Sequence, residues 1–221
     1  MRIVTRAACT GLAAAAMLVA GTGCGDGGGS DEPEAAGDDG GAADEDAAAV
    51  GEPDLRQELL DMQEADQADR TGAPVEEWDD DTRTARLAEI IDEHGWPTRS
   101  LVGDDGATAA WVIAQHSDLD VEFQERALEV MRQAVDDGEA DPTELAYLED
   151  RVALNQGRPQ TYGTQIACVD GRAEPAELAD PDRVEELREE VGLQPLDDYL
   201  AELEPACQEE AGAAGGDEPT G

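Results

Sequence analysis

A histidine, a carboxylate and an arginine are the residues of this chain best suited to acid–base chemistry. His116 lies at the end of a segment, residues 105–117, that is apolar on nearly every side and therefore predicts a central, buried helix. Asp66 continues the apolar stripe of an earlier predicted helix, and Arg70 lies on the inner side of that helix. A histidine beside a buried carboxylate can act as a general base or bind a polar ligand, so these residues are candidates for both roles.

Cys24 lies where a lipid can be attached. A basic start, residues 1–6, precedes an apolar run of 14 residues, 7–20, and then Gly21-Thr22-Gly23-Cys24. That run is too short to cross a hydrocarbon core of about 30 Å as a helix, and it is typical of an export signal. We expect cleavage before Cys24, its acylation, and anchoring at the outer face of the cell membrane. Because Gly21 stands where lipoprotein signals usually carry Leu, Val or Ile, an ordinary secretory signal is the alternative.

Two further cysteines, Cys168 and Cys207, remain in the mature chain. An even pair in an oxidising compartment predicts a disulfide, which would clamp the final helix onto the segment near Cys168. Two buried free thiols are the alternative. The two cysteines and two histidines assemble none of the usual zinc spacings, and the sequence indicates no metal or other cofactor.

The charge of the chain restricts its partners. All 14 basic residues are arginines, against 55 acidic residues, and the net charge is −41. Residues 54–207 alone hold 41 Asp and Glu and 12 Arg, a balance of −29. Binding to phosphates needs a basic surface, so we expect no nucleic acid partner. The expected partners are the membrane, through the lipid on Cys24, and a small molecule or an envelope protein.

Composition divides the chain into four parts. Residues 1–23 form the predicted signal, and residues 24–53 form a tether. After Cys24 the tether consists of Gly, Ala, Asp, Glu, Ser and Pro apart from Val50, with ten acidic and no basic residues. Such a segment buries too little apolar surface to offset its ordering entropy, so we expect it to be disordered. Residues 54–207 contain all the aromatic residues and predict one domain, followed by a disordered tail at 208–221.

Periodicity predicts a mainly α domain of about seven helices with a small β-hairpin. Residues 161–169 alternate between polar and apolar, and Asp170-Gly171 is a hairpin turn signal. The helices are bounded by capping residues, glycines and prolines. They span residues 54–70, 79–94, 105–117, 121–135, 142–155, 181–192 and 195–205.

Short motifs occur in a fixed order along this domain: Gly95-Trp96-Pro97, Gln115-His116, Asp150-Arg151, Pro159 to Gln165, Val191-Gly192-Leu193 and Tyr199. Together they resemble a bacterial domain-of-unknown-function family, number 6624, over about residues 55–200. The resemblance implies a fold shared with exported proteins. It implies no catalytic roles.

The resemblance adds polar positions to the candidate site: Gln115, Asp150, Arg151, Gln160, Tyr162 and Gln165. Buried polar groups cost roughly 1–3 kcal/mol each unless paired, so these residues form either a structural network or a site. In a structural network, Arg151 would pair with Asp66 or Asp150. In a site, His116 would lie beside a carboxylate, with Tyr162 and Gln165 as donors.

Three functions therefore stay open. The domain of an envelope lipoprotein could bind a polar small molecule or peptide through these residues. It could instead be a hydrolase that uses His116 as acid or base, with Asp150 or Asp66 orienting the ring. A purely structural or interaction role is the third. We expect most of these residues to meet in space, with His116 and Arg151 on the same cavity.

Overall fold

The protein is described by a computed structural model that covers residues 50–73 and 78–215 of the 221-residue chain. Within these ranges the chain forms seven helices and a two-stranded antiparallel hairpin, which confirms the predicted fold class. The elements are α1 Pro53–Arg70, α2 Asp80–His94, α3 Arg99–His116, α4 Val121–Asp136, α5 Pro142–Asn155, β1 Ile166–Val169, β2 Arg172–Pro175, α6 Val184–Glu190 and α7 Leu196–Gly215.

Aspartates at three helix starts explain why these helices begin where they do. The side chain of Asp79 accepts a hydrogen bond from the Thr82 backbone N–H, and Asp120 and Asp141 each accept one from a backbone N–H in the first turn of α4 and of α5. Each cap satisfies one of the backbone donors that a helix start leaves free. The caps therefore fix the residue at which each of these three helices begins.

Helix α3 is the centre of the domain, as its apolar sequence predicts. Nine of its residues are buried, including Ala109, Ala110 and Ile113, and α1 packs along it. The observed helix begins earlier than predicted, at Arg99, because a first turn precedes a break at Gly103. Gly103 has φ +76°, a conformation that favours glycine, so the break is built into the sequence.

A second, smaller core lies beyond α5. It is formed by Val184, Leu196 and Tyr199, and it joins the main core through aromatic edges. Tyr147 lies edge-on to Trp111 at 6.1 Å between ring centroids, and edge-on to Tyr199 at 6.3 Å. These T-shaped contacts place the hairpin, α6 and α7 against the bundle.

The hairpin is shorter than the alternating sequence predicts. Only Ile166–Val169 pairs with Arg172–Pro175, and residues 161–165 form a loop. Gly163 causes the difference, because it has φ +68° and a Cβ there would lie 3.2–3.3 Å from Leu196 and Leu178. The backbone turns at this glycine, so the alternation of side chains before it does not build a strand.

The predicted end of the last helix at Pro205 is wrong. Helix α7 continues through Pro205 to Gly215. A proline removes one backbone hydrogen bond, and here tertiary contacts hold the chain on both sides of it. Glu204 accepts a hydrogen bond from the Ala173 N–H, and Cys207, 2 % exposed, forms the predicted disulfide with Cys168. The disulfide is confirmed, with 5.2 Å between the two Cα atoms.

The folded part also begins before residue 54. The N–H groups of Gly51 and Glu52 donate to the carbonyls of Ser100 and Leu101, so the last residues of the predicted tether already contact the bundle. The predicted signal, Cys24 and the tether up to residue 49 lie outside the described residues, as does the end of the tail from residue 216. None of the helices within the described ranges is both long and apolar enough to span a membrane.

Candidate functional site

Asp66 and His116 form a hydrogen-bonded pair between α1 and α3. The Nδ1 atom of His116 lies 2.8 Å from Oδ2 of Asp66. The Asp66 side chain is completely buried, whereas the His116 side chain is 11 % exposed. The two residues meet because each lies on the inner side of its own helix, and the helices pack against each other. A fixed carboxylate therefore holds the imidazole from the protein interior.

Two arginines compensate the charge of Asp66. Arg70 donates to both carboxylate oxygens, from Nη2 at 3.0 Å and from Nε at 3.1 Å. Arg83, 1 % exposed, places Nη2 at 3.6 Å from Oδ1, and it also pairs with Asp69 and Asp80. Burial alone would raise the pKa of Asp66, but the hydrogen bonds from His116 and Arg70 lower it to about 2. Asp66 is therefore ionised at neutral pH.

The ionised carboxylate sets the tautomer of His116. An acceptor-only oxygen at 2.8 Å requires the proton on Nδ1, which leaves Nε2 of the neutral ring as an acceptor. Arg70 Nε also lies 2.9 Å from Nδ1. We assign the hydrogen bond of the Arg70 Nε–H group to Asp66, because Nδ1 of His116 cannot accept a hydrogen bond while it donates one. Nε2 has no hydrogen-bonding partner among the described residues.

His116 lines an open groove of about 270 Å³, which we call the His116 groove. One wall is the start of α2, and the other is the turn between α3 and α4. The hydroxyls of Thr84 and Ser117 join the walls at 2.9 Å. The lining residues are Asp80, Asp81, Thr84, Ala85, Ala88, His116, Ser117, Leu119 and Asp120. Within the described part of the chain, no group of three or more His, Cys, Asp and Glu residues could hold a metal ion.

Gln115 is buried beside His116 but belongs to the end of α3 and not to the groove lining. Its backbone carbonyl and that of Ala114 accept hydrogen bonds from the buried side chain of Gln124, at 3.3 and 3.1 Å. Gln124 thus satisfies carbonyls that a helix end leaves free. The Oε1 atom of Gln115 is buried without a protein partner in the described ranges.

Asp150 serves the loop before the hairpin and not the imidazole. Its carboxylate accepts hydrogen bonds from the backbone N–H groups of Thr161, Tyr162 and Thr164, and from the Thr164 hydroxyl at 2.9 Å. The side chain is completely buried, and this burial raises the pKa of Asp150 against the effect of the donors. Asp150 and these donors are the centre of what we call the loop network, which comprises Asp150 and residues 160–165.

The glutamines of the loop are satisfied within the same network. Gln160 donates to the carbonyls of Gln165 and Ala176, both at 3.0 Å, and accepts from the Gln165 N–H at 2.9 Å. Gln165 donates to the Thr164 hydroxyl and accepts from Arg151. Tyr162 takes part through its backbone, since its N–H donates to Asp150 and its carbonyl accepts from the buried Arg188. The loop network therefore has a structural role: it holds the backbone of this loop in place.

Arg151 pairs with neither Asp66 nor Asp150, the two partners that a structural network would give it. It makes a bidentate contact with Asp118, in which Nε lies 2.8 Å from Oδ1, and a further hydrogen bond to Gln165 at 3.1 Å. Asp118 follows His116 by two residues, so this ion pair ties the end of α3 to the loop network. Arg151 does not line the His116 groove.

The predicted residues thus separate into two neighbouring sets. Asp66 and Arg70 contact His116 behind the groove, whereas Asp150, Arg151, Gln160, Tyr162 and Gln165 meet in or beside the loop network. Arg83 and Asp118 are not among the residues predicted from the sequence. Arg83 could have been found, because it lies four residues before the buried Leu87 on the inner stripe of α2. Asp118 lies in a turn, where periodicity gives no signal.

A second cavity, of about 200 Å³, lies between the two helices α3 and α5 near the start of α5. Glu144 lines it and accepts a hydrogen bond from the Thr108 hydroxyl at 2.7 Å. Burial raises the pKa of Glu144 to about 7, with a smaller contribution from the nearby Asp141 and against the lowering effect of the Thr108 hydrogen bond. The folded protein therefore holds this proton at pH values where an unfolded chain, with a pKa of 4.5, has released it.

Substituting Glu144 by Gln should stabilise the protein at pH 8. Because the pKa is higher in the folded state, stability from this group is complete below about pH 4.5 and is lost as the pH rises through about 7. We expect Glu144→Gln to raise the free energy of unfolding by about 1–2 kcal/mol at pH 8, allowing for partial exposure, and by almost nothing at pH 4.5. Urea unfolding at both pH values measures this. Glu122→Gln, an exposed glutamate in the first turn of α4, is the control and should show no such pH dependence.

The fold and the site define a small helical domain with a carboxylate-held histidine at an open groove and a disulfide-linked hairpin. The chain belongs to DUF6624, a family of unknown function, whose model matches residues 53–210. Comparison with curated proteins finds no significant match. Comparison with solved structures finds none either.

Proposed function

We propose that the domain binds a polar small molecule in the His116 groove and that His116 is the group that contacts it. One observation carries the proposal: a completely buried carboxylate holds a histidine whose ring lines an open groove. A buried ion cluster is costly unless it is well paired, and this one orients a single side chain at the surface of the protein. Such an arrangement is typical of binding and catalytic sites.

The pairing gives His116 a defined chemistry. With Nδ1–H donated to Asp66, the neutral ring offers Nε2 as an acceptor to an N–H or O–H group of a ligand. Thr84 lines the same groove. Because the Ser117 hydroxyl donates to the Ile113 carbonyl, the Thr84 hydroxyl donates to Ser117 and offers the ligand a further acceptor. The domain can therefore recognise a hydrogen-bond donor at this place without any movement of the backbone.

A hydrolase-type enzyme is the second candidate, and the Asp66–His116 contact at 2.8 Å favours it. A general base needs a carboxylate within hydrogen-bond reach to orient it, and Asp66 meets that condition. In such an enzyme, Nε2 would take a proton from a water molecule as that water attacks the substrate. Asp66 would hold the ring and stabilise the imidazolium that forms.

Nitrogen-15 NMR of the imidazoles tests this site, since the chain has only two histidines. In the intact protein at a pH where the ring is neutral, we expect His116 in the Nδ1–H tautomer. In Asp66→Asn the amide can donate to Nδ1, and His116 should change to the Nε2–H tautomer. His94, at the opposite end of α2 from the groove, is the internal control and should not change. An Nε2–H tautomer in the unsubstituted protein would contradict the proposed site.

A pool of polar fragments that includes simple esters and amides separates the two candidates. Saturable shifts of the His116 signals without products support binding. Turnover that falls by roughly 10²–10⁴ in both His116→Gln and Asp66→Asn supports the enzyme. Asp150→Asn offers a comparison, because Asp150 does not contact His116. If no fragment shifts the His116 signals and none is converted, the proposed site is wrong.

The anchor on Cys24 is a separate part of the proposal. It is supported by the basic start, the 14-residue apolar run and the small residues before Cys24. We expect cells that express the protein to incorporate a labelled fatty acid into it, and Cys24→Ala to abolish the label and release the protein from the membrane fraction. Cys9→Ala, within the predicted signal, is the matched control and should keep the label. If the unsubstituted protein takes up no label, the proposed anchor is wrong and the protein is secreted without one.

A further inference from the structure

Both walls of the His116 groove carry carboxylates: Asp80 and Asp81 in the first turn of α2 on one, and Asp120 at the start of α4 on the other. Each wall also carries apolar side chains, Ala85 and Ala88 on α2 and Leu119 in the turn before α4. No lysine or arginine is among the described residues that line the groove.

The three carboxylates are not equally available. Asp80 is paired with Arg83, and Asp120 caps α4 by accepting from the Phe123 N–H. Asp81 is exposed, and no contact to it from another described side chain reaches hydrogen-bond or ion-pair distance. Asp81 is therefore the carboxylate with full capacity to pair with a positively charged ligand.

Leu119 adds an apolar contact at the rim of the groove. Leu119 is 84 % exposed, more than any other large apolar residue of the described chain. With Ala85 and Ala88 on the other wall, it gives the groove apolar surface as well as carboxylates. An uncharged polar molecule would use only part of such a surface, and an anion would be repelled both by the groove and by a chain of net charge −41.

We infer that the ligand of the His116 groove is a small organic cation, an ammonium group on a short apolar body. The inference rests on the proposed function and adds the class of ligand. The ammonium group donates one hydrogen bond to Nε2 of His116 and lies near Asp81, while its apolar body covers Ala85, Ala88 and Leu119. The volume of about 270 Å³ lies below the range of about 300–1,000 Å³ of sites for drug-sized molecules, so the ligand is about as large as an amino acid.

Three probes of equal length test the charge preference: n-butylammonium, 1-butanol and butyrate. Each is titrated into the intact protein at constant ionic strength while the imidazole signals of His116 and His94 are followed by NMR. We expect a saturable shift of His116 with butylammonium, binding about tenfold weaker with butanol, and no shift with butyrate. His94 should not respond to any of them, since it does not line the groove.

Single substitutions test the two parts of the surface. Asp81→Asn should weaken butylammonium binding about threefold and leave butanol unchanged, as expected for an exposed charge pair. Asp197→Asn is the matched control, because Asp197 is an exposed aspartate in the first turn of α7, away from the groove lining. Leu119→Ser should reduce the advantage of butylammonium over methylammonium.

The outcomes separate this inference from the proposed function. If butanol or butyrate shifts His116 as strongly as butylammonium does, the cation preference is wrong and the ligand site stands. If Asp81→Asn and Asp197→Asn change butylammonium binding equally, the assigned carboxylate is wrong. If butylammonium shifts neither histidine, the inference is overturned, and the fragment pool described above then decides whether His116 binds any ligand.

Discussion

Replacing Asp150 by alanine should lower the free energy of unfolding by about 3–5 kcal/mol. The carboxylate is completely buried and accepts from three backbone N–H groups and one hydroxyl of residues 161–164. Alanine leaves these donors without partners, and each buried donor without a partner costs about 1–3 kcal/mol. Urea unfolding monitored by circular dichroism measures the loss.

Asp79, which caps the start of α2, serves as a comparison for the size of this loss. Asp79→Ala removes one hydrogen bond, that from the Thr82 N–H to an exposed side chain, and should cost about 1 kcal/mol. Thr164→Val tests the hydroxyl of the loop network, because it removes the donor at 2.9 Å from Asp150 and the acceptor at 3.1 Å from Gln165 while keeping the Thr164 N–H in place. If Asp150→Ala costs no more than Asp79→Ala, then the loop network does not hold the loop.

The milder variant Asp150→Asn separates the structural role of Asp150 from the chemistry of His116. Asp150 does not contact His116, so the folded fraction of Asp150→Asn should keep the imidazole signals of the unsubstituted protein. Asp66→Asn should change them, because Asp66 holds Nδ1 at 2.8 Å. The polar motif residues therefore divide by what they hold: Asp66 holds a side chain at a groove, and Asp150 holds a backbone loop.

Helical periodicity explains how much of the site could be predicted. The inward placement of Asp66 and the burial of α3 were each read from apolar spacing within one helix, and packing of α1 on α3 brings Asp66 to His116. The spacing of side chains along a helix is fixed by its backbone, so such predictions need no knowledge of tertiary structure. Which of two carboxylates would reach the histidine stayed open, because that depends on how the helices pack.

Asp150 and Arg151 show why the remaining residues could not be placed. Adjacent residues on a helix point about 100° apart, so neighbours in sequence need not share a site. Asp150 points to the loop at residues 161–164, and Arg151 points to Asp118. The partners of Asp150 are mainly backbone N–H groups, which every residue type supplies and which the sequence therefore does not mark.

The last helix shows the opposite problem, a strong local signal overruled by tertiary contacts. Pro205 predicts a helix end, since it lacks an N–H and its ring crowds the preceding turn. Helix α7 nevertheless continues to Gly215, because Glu204 and Cys207, on either side of Pro205, hold it against the hairpin. The disulfide could be predicted from the cysteine count, but its effect on the helix end could not.

Breaking the Cys168–Cys207 disulfide should lower the free energy of unfolding by about 3–4 kcal/mol. The bond joins residues separated by 39 positions, and on the chain-entropy model closing such a loop restricts the unfolded chain by that amount. The part of the fold that it encloses has only a small apolar core: the hairpin strands are four residues long, and three residues form the buried part of the second core. Urea unfolding of the oxidised and reduced protein measures the difference.

The Cys168→Ala, Cys207→Ala double variant separates the crosslink from side-chain packing. The reduced protein keeps both sulfur atoms in place, so its difference from the oxidised protein reports the crosslink, whereas its difference from the double variant reports the packing of Cys207, which is 2 % exposed. The double variant should not respond to reductant. Amide hydrogen exchange should show the loss of protection in β1, β2 and α7 first, with α1 and α3 retained. Equal loss of protection in α3 and α7 would show that the disulfide stabilises the whole domain as one unit and that the hairpin and α7 do not depend on it separately.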